Sequence, residues 1–163
     1  MTAMATANQR SARWLAFAIP LVLLAGAWSF QLFGGLFPCE MCLWQRWPHY
    51  AALVVALLAF VVPPPTNRAL VGIAALVIAL SGAIAVYHAG VEYRWWHGVT
   101  ACTQTLDLAG LTPAQRLDRI MGTPAVPCDV AQWSLMGISL AGFNAIISLV
   151  GAATIAVLLG SRR

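Results

Sequence analysis

The chain has four cysteines, Cys39, Cys42, Cys102 and Cys128, and their spacing divides them into one close pair and one distant pair. Cys39-Glu40-Met41-Cys42 is a Cys-x-x-Cys element preceded by Pro38. Two intervening residues allow a small ring that closes and opens with little backbone movement. Where such an element opens a helix, the unpaired N–H groups and the positive dipole end favour thiolate over thiol. The pattern therefore predicts thiol–disulfide exchange, in which a thiolate attacks a disulfide sulfur. Four thiolates also suit a closed zinc site. Against zinc, Cys102 and Cys128 stand 26 residues apart with no histidine beside them at ligand spacing, so no metal is expected. Purely structural disulfides are the stronger alternative, since small extracellular loops are commonly stapled in this way. A Cys39 to Cys42 bridge, however, would constrain almost nothing.

Arg46 follows Cys42 by four residues and Cys39 by seven, so on a helix the three project from about one face. As a cation just inside an apolar helix, Arg46 either snorkels to the headgroups or holds a thiolate or a carbonyl oxygen of a bound small molecule. His88 and His49 fall near the ends of apolar segments, where a histidine is usually solvated or hydrogen-bonded. His97 carries no assigned role.

The elements that must position these groups are membrane helices. Of the 163 residues, 61% are hydrophobic and only 9% charged, against roughly 45–50% and about 25% in soluble chains. The mean hydropathy of +0.80 agrees, and a soluble single-core enzyme and a disordered chain are both excluded. The net charge is +4 with no basic run and no lysine, so no nucleic-acid partner is expected. A crossing needs roughly 20 mostly apolar residues, and four stretches qualify, at about 14–33, 43–62, 69–89 and 133–159. The first is longer than the apolar part of a signal peptide and lacks a small-x-small site, so it is expected to be retained. The fold class expected is an all-α membrane protein: a single domain, 1–163, forming a four-helix transmembrane bundle.

Arg10 and Arg13 precede the first span, Arg68 lies in the short Pro63-Pro64-Pro65-Thr66-Asn67 turn between the second and third, and Arg162 and Arg163 close the chain. All five acids, Glu40, Glu92, Asp107, Asp118 and Asp129, fall on the other side. By the positive-inside rule both termini are cytoplasmic, and the outer loops are 34–42 and 90–132. All four cysteines then face the oxidising compartment. In the long loop, Thr112 reads as an N-cap, Pro113 as the first helical residue and Gly122 as the stop. Leu117, Ile120 and Met121 form an apolar stripe, so this short helix is expected to lie on the membrane surface. Trp28, Trp44, Trp47, Trp95, Trp96 and Trp133 fall near the outer span ends, as interfacial rings do. Gly82, Gly137, Gly142 and Gly151 are expected to allow close helix packing.

With four spans, Pro38-Cys39-Glu40-Met41-Cys42-Leu43-Trp44-Gln45-Arg46 at the head of the second and a further cysteine pair in the long outer loop, the chain resembles the bacterial disulfide bond formation protein B family. That resemblance implies a thiol:quinone oxidoreductase of the bacterial inner membrane. It would reoxidise a periplasmic thioredoxin-fold dithiol oxidase (DsbA-like) and pass two electrons to the membrane quinone pool, ubiquinone or menaquinone. The same resemblance implies that Cys102 and Cys128 form the loop disulfide, with Cys102 the site of the mixed disulfide. Cys128 would then exchange with Cys39, Cys42 would face the quinone, and Arg46 would support quinone binding. His88 matches a quinone-proximal histidine to within one residue. Two alternatives differ in kind. A vitamin K epoxide reductase-like oxidoreductase would place its Cys-x-x-Cys late in the chain, and a non-enzymatic subunit would keep its disulfides permanently oxidised.

Overall fold

The computed structural model describes residues 2–103, 109–122 and 126–161. Asp107, Arg162 and Arg163, used above for topology, lie outside them. The elements are α1 (Thr2–Leu32), α2 (Glu40–Val61), α3 (Thr66–Glu92), a 3-10 turn at Ala101–Thr103, α4 (Pro113–Met121), β1 (Ser134–Leu135), β2 (Ile138–Ser139) and α5 (Leu140–Gly160). Among the described residues three helical segments are long and apolar enough to cross a membrane, Ala7–Leu32, Thr66–Glu92 and Leu140–Gly160. Where the second span is expected there is a 22-residue helix, α2, which is not among those three. Glu40, Gln45, Arg46, Pro48 and His49 interrupt the apolar run in its first half.

The long helices pack in a ring, α1 on α2, α2 on α3, α3 on α5 and α5 on α1. Alanines dominate where they meet: Ala12 and Ala16 of α1, Ala52, Ala56 and Ala59 of α2, and Ala74 of α3 are fully buried. Small side chains let backbones approach closely, which suits helices that gain little from the hydrophobic effect in lipid. Glycines add to this at two points. A Cβ at Gly82 would lie 2.9 Å from the Leu149 side chain, and one at Gly151 would lie 2.4 Å from Ile19.

One end of the ring is tied by polar side chains. Asn8 donates to Ser161 at 2.9 Å, Gln9 donates to Asn67 at 2.5 Å, and Arg68 donates to the Leu159 carbonyl. Arg68 itself lies in the first turn of α3, since that helix begins at Thr66 directly after the prolines. The opposite end carries the cysteines.

Two expectations are corrected there. The last helix starts at Leu140, not near Trp133, because Ser134–Ser139 forms a tight antiparallel hairpin with Leu135 opposite Ile138. Met136 and Gly137 take φ of 52° and 79°, the left-handed pair that a two-residue hairpin turn requires. Gly137 therefore serves a turn and not helix packing. Ser139 then caps α5 by accepting from Gly142 N at 3.1 Å. The loop helix α4 does form as expected: Thr112 and Gln115 make a reciprocal capping box, Pro113 is the first residue and Gly122 closes it. Its Leu117, Ile120 and Met121 are exposed.

Beyond α3 the chain folds back on itself. Trp96 stacks on Tyr87 with 12° between the rings and donates to the Tyr87 carbonyl at 2.9 Å. A Cβ at Gly90 would fall 2.0 Å from the Trp96 ring. Gly90→Val is expected to eject Trp96 at a cost of about 1–3 kcal/mol. This would appear in detergent as a lowered melting temperature with altered tryptophan fluorescence, and unchanged values would contradict the tight seat.

Candidate functional site

Cys39 occupies the N-cap of α2 in an extended conformation, and its sulfur accepts from Cys42 N at 3.2 Å. A sulfur thus does what a serine or aspartate oxygen usually does at a helix start. Cys42, one turn on, is brought with its sulfur 2.8 Å from that of Cys39. That is longer than the about 2.03–2.05 Å of a disulfide, and both cysteines are free thiols.

Cys102 and Cys128 are joined by a disulfide with Cα atoms 5.4 Å apart. The Cys128 N–H also donates to the Cys102 carbonyl at 3.2 Å. Thr100 lies against the bridge, its hydroxyl 2.8 Å from the Cys102 sulfur. Although the two pairs lie far apart in sequence, Cys39, Cys102 and Cys128 share one buried cluster with Met41 and Val91, and Cys42 packs against it. The structure thus brings all four cysteines together.

The last turns of α3 supply two further groups, His88 and Glu92, which share one helix face at i and i+4. His88 Nε2 lies 3.6 Å from the Cys39 sulfur and 3.7 Å from Glu92 Oε1. Its Nδ1 meets the Gln45 side-chain amide at 2.7 Å. Glu92 also accepts from the Ser139 hydroxyl, which anchors it to the start of α5.

The thiol pair is electrostatically asymmetric. Cys39 donates its proton toward Cys42, and that hydrogen bond, with burial and the negative charge on Cys42, holds the Cys39 thiol far above its ordinary range. The same hydrogen bond pushes the Cys42 pKa down, against burial, and the positive charge of Arg46 assists. Of the two, Cys42 is therefore the more readily ionised, and Cys39 the one that keeps its proton. Arg46 is held by α1: it donates to Gln31 at 2.7 Å and to the Ala27 carbonyl at 3.2 Å, and lies 5.6 Å from the Trp28 ring.

Cys39, Cys42, Gln45, Arg46, His49 and His88 form the polar wall of a cavity of about 380 Å³. Its remaining lining is mostly apolar, including Val22, Phe30, Phe37, Trp133, Phe143 and Ile147. Cys39, Cys42 and His88 present two sulfurs and a nitrogen within 4.8 Å of one another, one short of a closed four-ligand zinc site. In the structure these atoms hydrogen-bond to one another and to Gln45.

Sequence reasoning gave no role to Gln45, Glu92 or Asn144. Asn144 and Gln45 carried a usable signal, since a polar amide inside an apolar helix points to an internal partner. Glu92 was visible only as one of five acids. His49, read as an ordinary hydrogen-bonded residue, is buried and contacts Asn144 at 2.9 Å. His97 is exposed.

The family described as Disulfide bond formation protein DsbB matches residues 9–158. The chain is 29% identical over 150 residues to "Disulfide bond formation protein B" of Pasteurella multocida, covering 86% of this chain and 79% of that protein. It is 28% identical over 139 residues to the protein of that name from a Polaromonas species, with 80% and 81% covered. It is 31% identical over 138 residues to "Disulfide bond formation protein B 1" of Pseudomonas fluorescens, with 75% and 78% covered. No solved structure matches the chain.

In the fully reduced protein Cys42 is expected to be alkylated by iodoacetamide before Cys39. Its reaction should persist below the ordinary thiol pKa of about 8.5, because its lowered pKa keeps it ionised there. Cys39→Ala removes the donor, raises the Cys42 pKa and should slow alkylation at pH 7 by about tenfold. Peptide mass spectrometry reads both, and equal rates at the two sulfurs would contradict the asymmetry.

Proposed function

Since this chain belongs to the disulfide bond formation protein DsbB family, a family of membrane proteins that form disulfides, we propose that it is a thiol:quinone oxidoreductase. In this reading it reoxidises a periplasmic thioredoxin-fold dithiol protein and delivers the electrons to a membrane quinone. The observation that carries this reading is a free, ionisable Cys39 and Cys42 pair packed beside an intact Cys102–Cys128 disulfide, at the wall of an apolar cavity.

The exchange balances as follows. A thiolate of the reduced partner attacks Cys102, the Cys102–Cys128 bond breaks, and Cys128 leaves as a thiolate. The partner's second thiol displaces Cys102, so the partner departs oxidised. With Cys39 and Cys42 in their disulfide form, Cys128 attacks Cys39 and Cys42 leaves as the thiolate. Cys102 then displaces Cys39, which restores the loop disulfide. The net result is one dithiol oxidised and the Cys39 and Cys42 pair reduced by two electrons and two protons.

Bound in the cavity, a quinone would supply an acceptor of those two electrons and two protons. The residues present fit such a ring: the walls are apolar and aromatic, Cys42 faces the space, and Arg46 and His88 stand as polar groups at its side. Arg46, fixed by Gln31 and Ala27, holds positive charge close to Cys42 and favours its thiolate form.

The same reading places four spans in a bacterial inner membrane, with termini cytoplasmic and the cysteine loops periplasmic. The polar half of α2 supports its crossing, because Gln45 and His49 are 6% and 3% exposed and bond to α3 and α5. The uncovered apolar stripe of α4 supports a position on the membrane surface. Of the alternatives, a structural-disulfide subunit is disfavoured by the free Cys39 and Cys42, which brace nothing.

The test is quinol formation by the purified protein in detergent, with a reduced periplasmic thioredoxin-fold protein as donor and a soluble quinone as acceptor. Cys42→Ser and Cys102→Ser are each expected to lower turnover at least a hundredfold. Cys102→Ser should also leave the donor reduced. Retained turnover in either variant would overturn the relay.

A further inference from the structure

Below the thiol pair a chain of hydrogen bonds runs into the apolar core, and its direction can be read from one end to the other. It starts at the backbone carbonyl of Gln45, which can only accept. The Ser81 hydroxyl donates to it at 2.8 Å. Having used its one proton, Ser81 Oγ must accept from its other neighbours, His49 Nε2 at 2.9 Å and the Asn144 amide nitrogen at 3.3 Å.

The oxygen of Asn144 then faces the opposite way, accepting from His49 Nε2 at 2.9 Å and from Ser148 at 2.8 Å. Its amide nitrogen donates to Gln45 Oε1 at 2.8 Å. That leaves the Gln45 amide nitrogen to donate, and it does so to the Met41 carbonyl at 3.2 Å and to His88 Nδ1 at 2.7 Å. Met41 sets the same orientation independently, because its carbonyl is also acceptor-only. A neutral imidazole whose Nδ1 accepts carries its proton on Nε2. Reversing any one amide would set donor against donor or acceptor against acceptor at two or more contacts, each leaving buried polar groups unpaired.

We propose that Gln45, oriented by Asn144 and Ser81, fixes His88 as a neutral imidazole protonated on Nε2, so that His88 faces Cys39 as a hydrogen-bond donor and not as a base. The proposal deepens the redox reading of Cys39 and Cys42 and rests on it. Gln45, Asn144 and Ser81 are positioning residues: among them only Gln45 touches His88, and Asn144 and Ser81 act through it. A donor at Nε2 stabilises negative charge on Cys39, the sulfur that the exchange scheme exposes to attack and later frees as a leaving group. It also leaves His88 with no free nitrogen to take the Cys39 proton.

The test reads the tautomer directly. The protein is labelled with 15N-histidine, reduced, and held in detergent at pH 7 with neither donor protein nor quinone. The His88 signals are assigned by their loss in His88→Gln, and ring-nitrogen shifts separate the two tautomers from the imidazolium. In the wild type the Nε2–H form is expected to exceed all others at least tenfold. Gln45→Met, which cannot donate, is expected to raise the Nδ1–H or imidazolium fraction several-fold. Asn144→Leu, which never touches His88, should move it in the same direction. A wild-type His88 protonated on Nδ1 or doubly protonated would overturn the proposal, as would unchanged populations in both variants. Should neither variant fold, the wild-type spectrum decides alone. Because no turnover is measured, failure here is distinguishable from failure of the oxidoreductase reading.

Discussion

The 2.7 Å hydrogen bond between Gln45 and His88 joins α2 to α3 where neither helix has water to fall back on. In an apolar environment every polar group must find a partner inside the protein, and this constraint organises the upper half of the molecule. It explains why α2, whose first half carries Gln45 and His49, is tied by side-chain hydrogen bonds to both α3 and α5. Gln45 reaches His88 and Asn144, and His49 reaches Ser81 and Asn144. Individual hydrogen bonds between membrane helices average only about 0.6 kcal/mol. Their value here lies in orientation, since each partner has few ways to be satisfied.

The thiol pair stands on this frame. Cys39 caps α2, so its position is tied to the helix start, and Cys42 follows within one turn. The cap gives the pair a fixed geometry, and the hydrogen bond between the sulfurs gives it a division of labour. Burial alone would raise both thiols. The pair escapes that because one sulfur keeps a proton and offers it to the other. The disulfide packed above shields the pair from solvent while remaining on a loop that carries few other buried groups.

Much of this was legible in the sequence, and the reasons are specific. The long apolar runs, the capping pattern at Thr112 to Gly122 and the segregation of cysteines each depend on local chemistry that neighbours cannot easily override. The hairpin at Ser134–Ser139 was missed because Leu135 and Ile138 read as apolar span, while the decisive signal was the left-handed pair Met136 and Gly137. Reach across the bundle was also hidden. Nothing in the spacing shows that residue 144 meets residue 45, or that Arg46 turns to α1 and its Gln31.

The two cysteine pairs differ in how they are held, and that difference fits a relay. The loop pair is attached through a segment with short local structure, a 3-10 turn and the bond from Cys128 N to the Cys102 carbonyl. Loops of this kind open at low free energy, and in the proposed relay such opening would let a partner reach a sulfur that is buried at rest. The helix pair is fixed by a cap, a neighbouring helix and a polar network that extends three residues deep. Under the proposed quinone reading, a site that meets a flat ring at a defined distance would gain from such rigidity, because positional error there weakens every contact at once. Access and accuracy are opposed demands on one sulfur. In the proposed relay, two pairs on one buried cluster assign the first demand to the loop and the second to the helix, and thiol–disulfide exchange would couple them.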